Sequence, residues 1–379
     1  MRLPPGSLVP AITFLLIVVG AYALVRAKRS ELVDFVVPHT AAVRFVAHEP
    51  LYRPDDGHYQ YKYFPAFAAL MVPFTWVPRE VAQFTWFTLT VAMTWALLEL
   101  SIGALPDRRL STRALFWLAL LINGKFLVKE LAFGQFNLPV ALLLFGAVLA
   151  ARHGRVFMAG ALVAVGVFVK PYALVLVPWL AWTLGWRALV PFSLVMAGGL
   201  LLPAASYGWQ GNQALLAEWY RTVTETTGPN LLAFENISFA SMWAKWIEPG
   251  PAAARLAAAS AVAAVAAGGI VMWRRNDVAE PNYLEAAYFL VLVPLLSPQG
   301  WDYTLVIAMP AFVLLVDRWR ELPPAWRAIA VTGIFFTSFT IWDLLRRTMY
   351  TQLMQWAAIS VGAVLVAACL VRLRWRAIA

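Results

Sequence analysis

One cysteine, four histidines and twenty acidic residues among 379 positions leave little room for several kinds of chemistry. The lone thiol, Cys369, lies in the last apolar run, so it forms no internal disulfide and supports no thiolate metal cage. His39, His48 and His58 lie nine and ten residues apart, spacings that fit no compact ligand motif, and they read as interfacial or solvated side chains. No Gly-rich phosphate loop, no Ser/His/Asp spacing for hydrolysis and no fixed-period repeat is present. Charged residues make up 13% of the chain, against about 25% in soluble domains. That scarcity excludes a cytosolic enzyme, a disordered chain and a secreted disulfide scaffold.

Apolar residues are abundant instead, at 61%, with a mean hydropathy of +0.69. Single cores stop growing near ~250–300 residues, so lipid must solvate the excess. The net charge of +10 then reads as the arginine excess of cytoplasmic loops rather than a nucleic-acid footprint. Some outer cations are also suited to phosphate headgroups.

An all-α integral membrane fold of about twelve spans follows, as a single polytopic domain over residues 1–379. Leu8–Val25, Val81–Leu98, Leu131–Ala151, Ala188–Ala205, Leu256–Trp273 and Leu353–Val371 are the long uncharged runs. Tyr63–Pro78, Val156–Val169, Pro171–Trp186, Ala286–Trp301, Tyr303–Val316 and Ala328–Trp342 are shorter ones. Ala114–Gly124 ends at Lys125, Lys129 and Glu130, which reads as a re-entrant or interfacial segment. Ala21-Tyr22-Ala23 matches a signal-peptidase site, but the long apolar run before it and the parity of the count favour retention. With the clusters at Arg274, Arg318 and Arg372 inside, residues 26–63 form a first outer loop and residues 206–251 a second. The same count puts Asp107-Arg108-Arg109 outside, against the charge rule.

The first outer loop holds three of the four histidines and five acids. Asp34 stands just past the first span, where a carboxylate suits either helix capping or general-base chemistry. Gln135 and Asn137, at the mouth of a span, must find partners, because unpaired amides near lipid cost several kcal/mol. Lys170 divides two apolar runs and suits either snorkelling or a lipid-linked phosphate. Trp301 and Asp302 mark a polar break whose aromatic neighbours can stack on a sugar or belong to an interfacial belt. Asn236-Ile237-Ser238 matches the glycosylation acceptor pattern, a weak signal by itself.

Taken in order, these features resemble glycosyltransferase family 87, the polyprenyl-phosphate-mannose-dependent α-mannosyltransferase-like enzymes. Asp34-Phe35 and Pro50-Leu51-Tyr52 lead to Tyr63-Phe64-Pro65. Then come Gly134-Gln135-Phe136-Asn137, Ala159-Gly160-Ala161 before Lys170-Pro171, and Ser297-Pro298 before Trp301-Asp302. The resemblance implies a GT-C helical bundle in the plasma (inner) membrane, with its active site on the extracytoplasmic side. A polyprenyl-phosphate hexose, typically mannose, would be the donor and a lipid or glycan the acceptor, with inversion, no metal, no other cofactor and no nucleic-acid partner. Asp34 would be the catalytic base. Lys170, Gln135, Asn137, Arg53, Asp302, Trp301 and His58 would contact substrate. Where relatives often carry histidines after the Trp-acid pair, this chain has Tyr303 and Thr304. A transporter or flippase of lipid-linked sugars is the competing reading from another class.

Overall fold

The computed structural model describes residues 18–23, 25, 32–273, 275–278 and 280–376. Most of the expected first span, Leu8–Val25, therefore lies outside the described residues. Among the described residues sixteen α-helices follow it. The first four are α1 (Val33–Val46), α2 (Pro65–Met71), α3 (Arg79–Gly103) and α4 (Thr112–Phe133). The next are α5 (Asn137–Arg152), α6 (Val156–Val169), α7 (Val177–Leu184) and α8 (Leu189–Leu201). They continue with α9 (Ala204–Thr227), α10 (Phe239–Ile247), α11 (Pro251–Met272) and α12 (Asn282–Leu296). The last are α13 (Met309–Asp317), α14 (Pro324–Ser338), α15 (Trp342–Gln355) and α16 (Ala358–Arg376). Among the described residues there is no strand beyond one antiparallel bridge between Asn236 and Trp301. Three helices, α3, α11 and residues 358–375, are long and apolar enough to cross a membrane, or up to five spans if each of two bent pairs counts as one. The protein is a helical membrane protein.

The two bent pairs have a common form. Residues 186–201 meet residues 204–230 at 89°, and α14 meets α15 at 99°. Both follow-on helices are poor in buried residues and carry exposed aromatics such as Trp209, Tyr220 and Trp342. A helix turned across the bundle with amphipathic aromatics on its surface suits the membrane interface. α9 covers the first part of residues 206–251.

One end of the bundle collects arginines. Arg152 donates to the Ala104 carbonyl at 2.9 Å, and the Arg109 and Leu110 amides donate to Asp317 at 2.9 and 2.8 Å. Arg318 donates to the Pro106 carbonyl, and Arg374 donates to the Val271 carbonyl at 2.6 Å. The Asp107-Arg108-Arg109 loop therefore sits with the other arginine clusters, not opposite them as the span count implied. The reason lies in Tyr63–Pro78. Its helical part, Pro65–Trp76, begins beside the α1 segment and ends beside it. It folds back, with Phe74 edge-on to Phe35 of α1 at 5.6 Å. α3 consequently starts at the end opposite the arginines, where Trp86 donates to the Gly134 carbonyl at 3.1 Å. The re-entrant reading of Ala114–Gly124 also changes. That run belongs to α4, an unbroken 22-residue helix of ~33 Å, whose charged C-terminal half finds partners inside the protein.

Candidate functional site

At the end remote from the arginines, six chain segments surround a cavity of about 910 Å³. They come from α1, residues 58–63, the end of α4 with Gln135, the 169–175 junction, residues 223–235 and residues 296–303. Parts of both expected outer loops, 26–63 and 206–251, thus meet Gln135, Lys170 and residues 296–303 around one space, while the Asp107-Arg108-Arg109 loop does not. Its wall mixes aliphatic side chains such as Val37 and Leu174 with the aromatics Tyr63, Tyr172, Trp301 and Tyr303. The cations Lys62, Lys129 and Lys170 complete it.

Asp34 lies in the first turn of α1. Its neighbour Phe35 is fully buried, stacked on Trp86 at 5.8 Å and facing Phe136 at 6.5 Å, which fixes the start of the helix. Asp34 itself lines the cavity and accepts from Gln135 Nε2. Close approach of Gly134 makes that contact possible. Gly134 caps α4 in the left-handed region at φ 70°, and a Cβ there would come within 2.9 Å of Phe35 Cβ. Only glycine meets both demands.

Gln135 Oε1 in turn accepts from Lys170 Nζ at 3.2 Å, and Asn137 Oδ1 accepts from the same ammonium at 2.8 Å. Asn137 Oδ1 also accepts from the Tyr172 hydroxyl, while Asn137 Nδ2 donates to Glu130. Glu130 is wholly buried and takes the Asn137 and Leu138 backbone amides at 3.2 and 3.3 Å, capping the N-terminus of α5. Because an ammonium only donates and a carboxylate only accepts, both amide orientations are fixed. Lys170 is held between Asp34 and Glu130, one amide away from each.

Burial pushes the Asp34 carboxyl above its ordinary pKa. Lys170, the Gln135 hydrogen bond, His58 and Lys62 draw it partly back. Burial likewise lowers Lys62, against the opposing pull of Asp34. A carboxylate poised above its usual range, with ammonium groups nearby, can take a proton while an anion is held beside it.

Residues 227–237 are tied to the rest of the wall. Gln299 Nε2 donates to Thr227 Oγ1 at 3.0 Å, the Asp302 amide to the Glu235 carbonyl at 2.8 Å, and the Ile237 amide to the Gly300 carbonyl at 2.7 Å. Asn236 is fully buried and spends its amide on the Asn230 and Pro298 carbonyls at 3.0 and 3.2 Å. That engagement leaves the acceptor pattern at Asn236 inaccessible to a glycan.

Of the residues expected to contact substrate, Lys170, Gln135, Trp301 and His58 line the cavity with Asp34. Asn137 stands behind Lys170, fully buried. Asp302 is also fully buried and holds Lys125 at 2.9 Å and Lys129 at 2.7 Å. Arg53 lies elsewhere, exposed and paired with Glu49 at 2.6 Å. Sequence reasoning missed Lys129, Tyr172, Tyr303 and the buried Glu130. The signal is present in Lys125-x-x-x-Lys129, two cations one turn apart on a single helical face, with Glu130 beside them on another. Among the described residues no group of three His, Cys, Asp or Glu side chains is placed to hold a metal ion.

The model of glycosyltransferase family 87 matches residues 61–298, well over half of the chain. No curated protein matches it significantly. The chain belongs to glycosyltransferase family 87. Asp34 precedes the matched segment, whereas Gln135, Asn137 and Lys170 fall inside it.

Proposed function

We propose that this member of glycosyltransferase family 87 transfers a hexosyl group, typically mannosyl, from a polyprenyl phosphate to a hydroxyl of a lipid or glycan acceptor. The observation that carries the reading is the Asp34–Gln135–Lys170 chain in the wall of an amphipathic cavity. Asp34 takes the acceptor O–H proton as the acceptor oxygen bonds to the sugar C1 from the face opposite the phosphate. The C1–O bond to phosphate breaks, and polyprenyl phosphate leaves with the electron pair, which gives inversion. Lys170 spends two N–H groups on Gln135 and Asn137, and an ammonium has three. The third is free to meet the leaving phosphate. The positive charge for the leaving group comes from lysine in this scheme, without a metal or other cofactor. The aliphatic wall suits the first isoprene units and the aromatic one suits the sugar.

The arginine-rich end is cytoplasmic in this reading, so the cavity faces the extracytoplasmic side of the plasma membrane. Twelve crossings remain, with α4 taking the place of Tyr63–Pro78. Residues 206–251 supply part of the acceptor groove through the segment 223–235. The test is to incubate the purified protein, in lipid nanodiscs, with several polyprenyl-phosphate sugars and a membrane lipid extract, and to identify the products by mass spectrometry. A new glycoside, absent with Asp34→Asn, is expected. Movement of labelled lipid between leaflets with no glycosidic bond formed would overturn the reading in favour of a flippase.

A further inference from the structure

Lys125 and Lys129 lie one turn apart on α4 and converge on a single carboxylate. Asp302 is fully buried, with Lys125 Nζ 2.9 Å from one oxygen and Lys129 Nζ 2.7 Å from the other. Two cations on one anion leave the group with a net positive charge at the edge of the cavity. Lys125 is closed off at 7% side-chain exposure, whereas Lys129 is 24% exposed and lines the cavity. Lys129 Nζ also lies 5.6 Å from the centre of the Tyr303 ring, and the Tyr303 and Trp301 rings are parallel at 6.3 Å.

Counting donors separates Lys129 from Lys170. Lys170 gives two of its three N–H groups to amides, while Lys129 gives one to Asp302. Lys129 therefore has the larger free capacity for an anion, and its long side chain is anchored at the head before any ligand arrives. Anchoring lowers the entropy lost on binding. Asp302, behind it, reaches no ligand in the cavity.

We propose that Lys129 is the principal phosphate-binding cation of the site and that Asp302 is a positioning residue that holds it, with Lys125 supplying the excess charge. The inference rests on the polyprenyl-phosphate donor proposed above. It makes Asp302 a support rather than a sugar ligand, and it splits the site between an anion grip on α4 and a base on α1.

The test measures binding of sugar-free polyprenyl phosphate to the full-length protein in nanodiscs, which needs no catalysis. Lys129→Met should weaken binding about 10-fold or more, the worth of one or two charge-assisted hydrogen bonds. Lys129→Arg should restore most of it, and binding by Lys129→Met is read below its own melting temperature, because that variant leaves the fully buried Asp302 with Lys125 alone. Asp302→Asn alone leaves the buried Lys125 ammonium without its carboxylate and is prone to misfold. The double variant Lys125→Met with Asp302→Asn keeps the net charge of the group, and it should raise the donor KM with kcat nearly unchanged. Wild-type protein that binds while Lys129→Met binds equally well overturns this inference alone. Unchanged KM in the double variant overturns the positioning role of Asp302. Wild-type protein that does not bind polyprenyl phosphate overturns the donor class itself.

Discussion

Lys170 donates to the side-chain oxygen of Asn137 across 2.8 Å, joining the end of α6 to the start of α5. The bond makes Asn137 a bracket for the lysine, because its other atom is already given to Glu130. A cation at membrane depth is costly unless partners hold it. Here the partners are two amides, each backed by a carboxylate.

The pH dependence of transfer should follow Asp34. Its carboxyl is raised above the ordinary value by burial, and the ionised form is the base. The rate should fall as pH drops through that raised value, so the acid limb lies above the usual carboxylate range. Lys170 contributes most to drawing the pKa back down. Lys170→Met should therefore move the acid limb of kcat to higher pH, as read from a pH–rate profile at saturating donor. Asp34→Asn should cost about 10²–10⁴ in rate, the usual contribution of a general base.

Glu130→Ala should destabilise the protein as well as slow it. The change leaves the Asn137 and Leu138 amides and the Asn137 side chain without their acceptor, in a site where each is buried. A loss of ~1–3 kcal/mol is expected from such orphaned donors. A lowered thermal midpoint in nanodiscs would reveal it.

Gly134→Ala should abolish transfer while leaving the distal arginine end intact. The new Cβ meets Phe35 Cβ at 2.9 Å with φ at 70°, so α1 must shift and carry Asp34 away from Gln135. Activity, and the fluorescence difference against a Trp86→Phe background that isolates Trp86 among the 18 tryptophans, check this together.

Arg53→Ala should leave donor KM and kcat within about twofold of wild type. Its guanidinium pairs with an exposed Glu49 outside the cavity, and such surface pairs contribute ~0–1 kcal/mol. A large rise in donor KM would show that Arg53 reaches substrate after all.

Cysteine accessibility should separate the two ends. In a Cys369→Ser background, a thiol in place of Arg53 should react with an impermeant maleimide from outside intact cells. One in place of Arg109 should not react until the membrane is opened. Labelling of both from the same side would undo the orientation drawn from the arginine end.

Composition made helices in lipid unavoidable, and the sequence-to-span reading placed α3, α6 and α11 within a few residues. It also picked out the segments that meet at the cavity, because polar breaks in apolar runs stand out when charge is scarce. Gly134, Gln135 and Lys170 were legible for that reason. Tyr63–Pro78 was misread because hydropathy measures transfer to an apolar surrounding and cannot tell lipid from protein. A short apolar helix folded back on Phe35 has the same score as a crossing.

The sequence by itself determined the solvent, the helical class and the short set of polar residues from which a site must be made. Only the tertiary structure decided their roles. Asn137, Asp302 and Lys129 all look alike as polar residues near a span end. Burial and hydrogen-bond direction make the first a bracket, the second an anchor and the third a group facing the cavity. Those properties depend on which distant segments pack together, so no local spacing encodes them. Lys125, Lys129 and Glu130 illustrate the point. In the linear chain they oppose crossing a membrane, but once Asp302 and Asn137 are brought alongside, their charges are matched and α4 carries them without a break.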